Sequence, residues 1–156
     1  MKKLTVTAVV FVITAVMLCF NSCKDEGVKI VLCRSETDEI IASFDGEEGT
    51  EFSVEFIHSV NQSPVKDVFR VENGQIVADR TIYSAFGAGV QTEIEDGQIL
   101  EFDENGNMVV SGFDIVFPKV TYLVGTVSDH ILEIQGESIS LRDLCGRNAH
   151  VYFELR

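Results

Sequence analysis

An imidazole, a carboxylate and a guanidinium, at His58, Asp67 and Arg80, interrupt stretches that otherwise read as apolar β-strands. Side chains alternate along a strand, so His58 shares a face with Phe52, Val54 and Phe56, while Ser53, Glu55 and Ile57 take the other. The Asn73-Gly74 dipeptide is the strongest hairpin signal in the chain. A two-residue turn there pairs Glu72 with Gln75, Val71 with Ile76, Phe69 with Ala78, Asp67 with Arg80 and Val65 with Ile82. A four-residue corner over Asn61 to Pro64 sets Val60 opposite Val65 and, by the same count, His58 opposite Asp67, Phe56 opposite Phe69 and Val54 opposite Val71. The expectation is a polar row, His58/Asp67/Arg80, on an otherwise apolar inner face.

Two kinds of chemistry fit such a row. Opposite charge and hydrogen bonds would keep Asp67 ionised between its neighbours. Arg80 could then grip a small carboxylate or similar anion, with Asp67 orienting both neighbours and His58 supplying a donor. The alternative is architectural: desolvation consumes most of what buried charges gain from each other, and the row would serve to pin the register of the sheet. Gly87 and Gly89, in Ser84–Gly89, add either a sharp corner or a nest of N–H groups facing an anion. They make no dinucleotide fingerprint, because no helix follows and the third glycine is missing.

Catalysis is not expected. His58 and Ser59 are adjacent in a strand and face opposite ways, so the imidazole is badly placed to activate the hydroxyl. Asp67 and Glu55 also fall on opposite faces, against a paired-carboxylate hydrolase. His58, His130 and His150 lack metal-ligand spacing and no Cys-x-x-Cys occurs, so neither a metal nor another cofactor is expected.

The elements that must position these residues are short β-branched and aromatic runs separated by Asp45-Gly46, Asn73-Gly74, Asp96-Gly97 and Asn105-Gly106. Strands are expected over 28–34, 39–44, 51–59, 65–72, 75–84, 98–103, 107–117, 121–124, 130–135 and 149–155, with one helical turn over 140–144. The fold class is all-β: a single antiparallel meander, closed as a barrel or folded as a two-sheet sandwich, after an N-terminal signal or anchor segment. With 156 residues, 46% of them hydrophobic, the chain can bury one sizeable core, and 28–156 reads as one domain.

Met1-Lys2-Lys3 precedes 17 uncharged residues, Leu4 to Phe20, and the chain turns polar at Asn21. Such a segment directs export of the domain behind it, whether as a cleaved secretory signal, a retained anchor at the lower limit of about 17–25 residues, or a lipoprotein signal cut before Cys23. The Ser22-Cys23 ending favours the last: residues 1–22 leave, Cys23 carries lipid that holds the chain to the membrane, and 23–27 is a short tether. Basic residues before the apolar run and acidic ones after it place the domain outside the cytoplasm. Cys33 and Cys145 then remain as an even pair, read either as a disulfide closing a long loop or as two buried thiols. Loss of Lys2 and Lys3 leaves 10 basic residues against 25 acidic ones and moves the formal charge from −13 to −15. That shell repels nucleic acid and suits either simple solubility or a basic protein partner.

His58-Ser59-Val60, followed by Pro64-Val65, Asp67 and Phe69 and then by Phe86-Gly87-Ala88-Gly89, resembles a bacterial group, domain-of-unknown-function family 1850, over most of the chain from about Val28 onward. Lys66 departs from the pattern, which has another acid there, and so does the lipoprotein-like leader. The resemblance implies a small exported or membrane-anchored β protein, often encoded beside tripartite ATP-independent transporters, and it brings no activity with it. By that analogy the protein would be an accessory part of carboxylate uptake, working with a transporter subunit or solute receptor.

Overall fold

The computed structural model describes residues 27–60, 62–84, 94–113 and 115–156. The expected leader, Cys23, most of the tether, Gly87 and Gly89 lie outside the described residues. β1 (Lys29–Arg34), β2 (Ile40–Asp45), β9 (Val120–Leu123) and β12 (His150–Leu155) form one antiparallel sheet, ordered β2-β1-β12-β9. β3 (Glu51–Ile57), β4 (Pro64–Glu72), β5 (Gln75–Tyr83), β6 (Ile99–Phe102), β7 (Met108–Ser111), β8 (Val116–Phe117), β10 (His130–Ile134) and β11 (Glu137–Ser140) form the second. Its order is β11-β10-β3-β4-β5-β7-β6, with β8 also pairing with β5. Among the described residues no ladder closes either sheet, so the molecule is a two-sheet sandwich and not a barrel.

Strand alternation explains the packing. Ile30 and Leu32 of β1 and Val151 and Phe153 of β12 turn toward Phe52, Val54, Phe69, Val71, Ile76 and Leu132 of the larger sheet, and all are buried in one core. Phe52 joins the sheets: its ring lies 5.2 Å from that of Phe69 beside it and 5.2 Å from that of Phe153 opposite. Such aromatic pairs contribute about 0.5–1.5 kcal/mol beyond the area they bury. The expected helical turn is α1 (Leu141–Cys145), capped by the Ser140 hydroxyl, which accepts from Asp143 N–H at 3.0 Å.

The two cysteines do not form the disulfide that was one of their two readings. Cys33 shares the outward face of β1 with Val31 and packs on Tyr152, whereas Cys145 on α1 sits in the core between the sheets, and both thiols are free and buried. Strand parity turns Cys33 away from the core in which Cys145 lies, so the two thiols belong to separate buried clusters.

The strand expected over 107–117 is broken into β7 and β8. Gly112 has φ +76°, and a Cβ there would meet the Gly97 carbonyl oxygen at 2.5 Å. Glycine therefore serves twice at this point, for the left-handed backbone and for the close approach of the turn before β6. Gly112→Ala is expected to lower stability by about 1–3 kcal/mol in urea unfolding without changing the m-value; a loss within about 0.5 kcal/mol, the scatter of innocuous surface changes, would contradict this account.

Candidate functional site

The expected polar row is not assembled, for two separate reasons. First, β3 ends at Ile57 opposite Pro64, so Phe56 pairs with Val65, Val54 with Asp67 and Phe52 with Phe69. The corner is longer than four residues: His58 N–H donates to the Ser63 carbonyl at 2.9 Å, and Gln62, at φ 56°, donates to the His58 carbonyl at 3.0 Å. His58 thus lies in the turn, where its Nδ1 accepts from Val60 N–H at 3.3 Å. The shift is by an even number of residues, so Asp67 keeps the inner face although it loses His58 as a neighbour.

Second, a β-bulge interrupts the β4–β5 ladder. Glu72/Gln75, Val71/Ile76 and Phe69/Ala78 pair as expected, but Val68 then pairs with Arg80, leaving Asp79 as the extra residue, and Asp67 pairs with Thr81. Past the bulge every side chain changes face. Arg80 turns outward, where its guanidinium meets Asp79 and donates to Glu51 at 3.2 and 3.4 Å, and Arg70 bridges Asp79 and Glu72. Burying a guanidinium costs several kcal/mol; the bulge avoids this and brings Thr81 and Tyr83 inward in place of Arg80 and Ile82.

Asp67 is left with neutral partners. Thr81 Oγ1 donates to one carboxylate oxygen at 3.0 Å, and the Tyr122 hydroxyl donates to the other at 3.1 Å. Tyr122 comes from β9, so this second bond crosses from the smaller sheet to the larger. Among the described residues Asp67 forms no ion pair. Burial raises its pKa above the ordinary carboxylate value, with the two hydroxyl bonds acting in the opposite sense. Burial and then the nearby Asp67 charge push both the Tyr83 and the Tyr122 phenol up, the latter well above 10.

Beside Asp67, between the bulge and the β7–β8 break, lies an open pocket of about 200 Å³, walled by Phe69, Ala78, Thr81, Phe113 and Phe117, with Arg80 also in its lining although its guanidinium is held by Asp79 and Glu51. Phe117 stands edge-on to Phe69 with centroids 6.1 Å apart. The opposite face of the same sheet carries a wider groove of about 350 Å³ containing Lys66 and Arg80, with Glu51 and Glu133 on its walls. There each cation already faces a carboxylate, Lys66 that of Glu133 and Arg80 that of Glu51.

Thr81, Tyr122 and His130 were not anticipated as site residues. His130 is buried, stacked on Phe56 with centroids 5.2 Å apart, and edge-on to Tyr122. Its Nδ1 accepts from Gly125 N–H at 3.2 Å, which assigns the proton to Nε2 in the neutral ring. Gly125 admits no side chain, since a Cβ would lie 2.5 Å from the Ser128 carbonyl oxygen. Asp129 braces the region by accepting from His130 N–H, Arg142 N–H and the Ser140 hydroxyl. No group of three or more metal-ligating side chains occurs among the described residues.

Burial holds the His130 pKa below 6.5, against the Asp129 charge, which raises it, and together with Arg142, which lowers it. The native ring therefore stays neutral while the unfolded chain takes up a proton, and stability falls as pH drops through 6.5 toward the native pKa. Asp67, with its native pKa raised, acts in the reverse sense at lower pH, its destabilising charge disappearing as it protonates. His130→Asn, which keeps an acceptor for Gly125, should lose less stability than the parent between pH 7.5 and 5 in urea titrations; equal losses would contradict the buried-neutral assignment.

A family model, domain of unknown function (DUF1850), matches residues 52–141, more than half of the chain and the part that contains β3, β4, β5 and the residues around Asp67. No curated protein and no solved structure matches the chain.

Proposed function

The chain belongs to the DUF1850 family, and from the chemistry of its inner face we propose that it is a non-enzymatic module, exported and lipid-anchored through Cys23, that binds a small solute as an accessory part of an uptake system. One observation carries the binding reading: the partly buried Asp67 carboxylate, without an ionic partner among the described residues, stands at the side of an aromatic-walled pocket. A largely apolar concavity with a few placed polar groups is the usual form of a small-ligand site. About 200 Å³ accommodates a single ring or a short alkyl chain.

A non-enzymatic role is supported by the state of the imidazoles. His58 and His130 each hold a backbone N–H on Nδ1, and His130 is further fixed by stacking on Phe56. The expectation of a carboxylate solute rested on Arg80 lying beside Asp67 and on the transporter analogy. With these two on opposite faces, a carboxylate would have to bind Lys66 and Arg80 in the outer groove, in competition with Glu51, Asp79 and Glu133.

Two measurements test the proposal. The intact mass of the chain extracted from membranes is expected to correspond to cleavage before Cys23 plus a thioether-linked lipid, and Cys23→Ala to abolish both; an unprocessed chain would contradict the lipoprotein reading. For binding, the full-length chain in detergent should give saturable shifts with small aromatic solutes, weakened about tenfold or more, about 1.4 kcal/mol, by Ala78→Leu, which fills the pocket. Under the architectural alternative the substitution alters stability alone, and the absence of any saturable solute would decide for it.

A further inference from the structure

We propose that the pocket beside Asp67 selects a small ligand with a protonated amine head and an apolar body; this rests on the reading of that pocket as a binding site and assigns it a ligand class. An ionised carboxylate offers about four lone-pair positions, and Asp67 uses two, one toward Thr81 and one toward Tyr122. Both partners are neutral hydroxyls, so the hydrogen bonds are satisfied in part while the charge has no counter-ion among the described residues.

The nearest cation in the sequence pattern cannot supply one. Arg80 contributes to the lining of the pocket, but the bulge at Asp79 directs its guanidinium to the far face, where Glu51 and Asp79 hold it. An ammonium entering from the pocket would complete both the charge and the open lone pairs of Asp67. Its hydrocarbon part would rest on Phe69, Phe113 and Phe117, and aromatic faces attract a cation in addition to covering apolar surface. A carboxylate in the same position would meet like charge at short range, and a neutral alcohol would leave the Asp67 charge uncompensated. The acidic shell, with a formal charge of −13 for the whole chain, also concentrates small cations near the surface.

The probes are phenethylamine, 2-phenylethanol and phenylacetate, near-isosteric cation, neutral and anion, titrated into the full-length chain in detergent at pH 7.5 and followed by ligand-observed NMR. Phenethylamine is expected to bind about tenfold or more tighter than the other two. Asp67→Asn should reduce it to the level of 2-phenylethanol, while Lys66→Gln, in the outer groove, leaves it unchanged. The ranking of the three probes on the unmutated chain decides the sign of the selection even were Asp67→Asn to unfold. Equal binding of all three, sensitive to Ala78→Leu, would overturn the amine assignment and leave the pocket as a binding site. Tightest binding of phenylacetate, lost in Lys66→Gln, would overturn it in favour of an anion at the outer groove. Absence of binding by every probe would remove this inference and the binding reading together.

Discussion

The inner face depends on one irregularity, the extra residue at Asp79 in β5. Strict alternation along Gln75–Tyr83 would direct Arg80 and Ile82 into the sandwich. The inserted residue reverses the assignment from Arg80 onward, so a guanidinium that would be expensive to bury lies instead among Glu51, Asp79, Arg70 and Glu72 on the solvent side. It also brings Thr81 under Asp67. One bulge therefore determines both the ion-paired outer face and the isolated carboxylate inside.

That carboxylate is held from two sheets at once. Thr81 reaches it along the larger sheet and Tyr122 across the core from the smaller, next to the Phe56 and His130 stack. The packed aromatics Phe52, Phe69 and Phe153 fix the separation of the sheets, and at that separation the phenol of Tyr122 meets Asp67. A hydrogen bond to a charged acceptor contributes roughly 1.5–3 kcal/mol, which here offsets part of the cost of removing Asp67 from water. The remainder of that cost is the physical basis for assigning the pocket a cationic ligand.

The sequence was informative up to the points where backbone geometry departs from counting. Asn73 and Gly74, at φ 51° and 70°, make the tight hairpin their types suggest, and the first pairs beyond it are as expected. Nothing in Ala78-Asp79-Arg80-Thr81 marks an inserted residue other than the unfavourable burial it relieves, and that signal was available in the inward-pointing Arg80. The corner after β3 is longer than its residue types suggest: Pro64 reads as part of a tight turn, whereas it opens β4 and the reversal includes His58. Gln135 and Gly136, at φ 53° and 79°, turn the chain between β10 and β11 without the Asn or Asp that commonly occupies such a position, so β11 was missed. Tyr122 had no local signature at all, since its partner is 55 residues away on another sheet.

The placement of Asp67 is tested most directly by a pair of double-mutant cycles in urea unfolding. Asp67→Asn with Tyr122→Phe should show a coupling of about 1–2 kcal/mol, and Asp67→Asn with Arg80→Gln should be additive within about 0.3–0.5 kcal/mol. Strong coupling to Arg80 with none to Tyr122 would restore the uninterrupted register and contradict an inner face built on the bulge at Asp79.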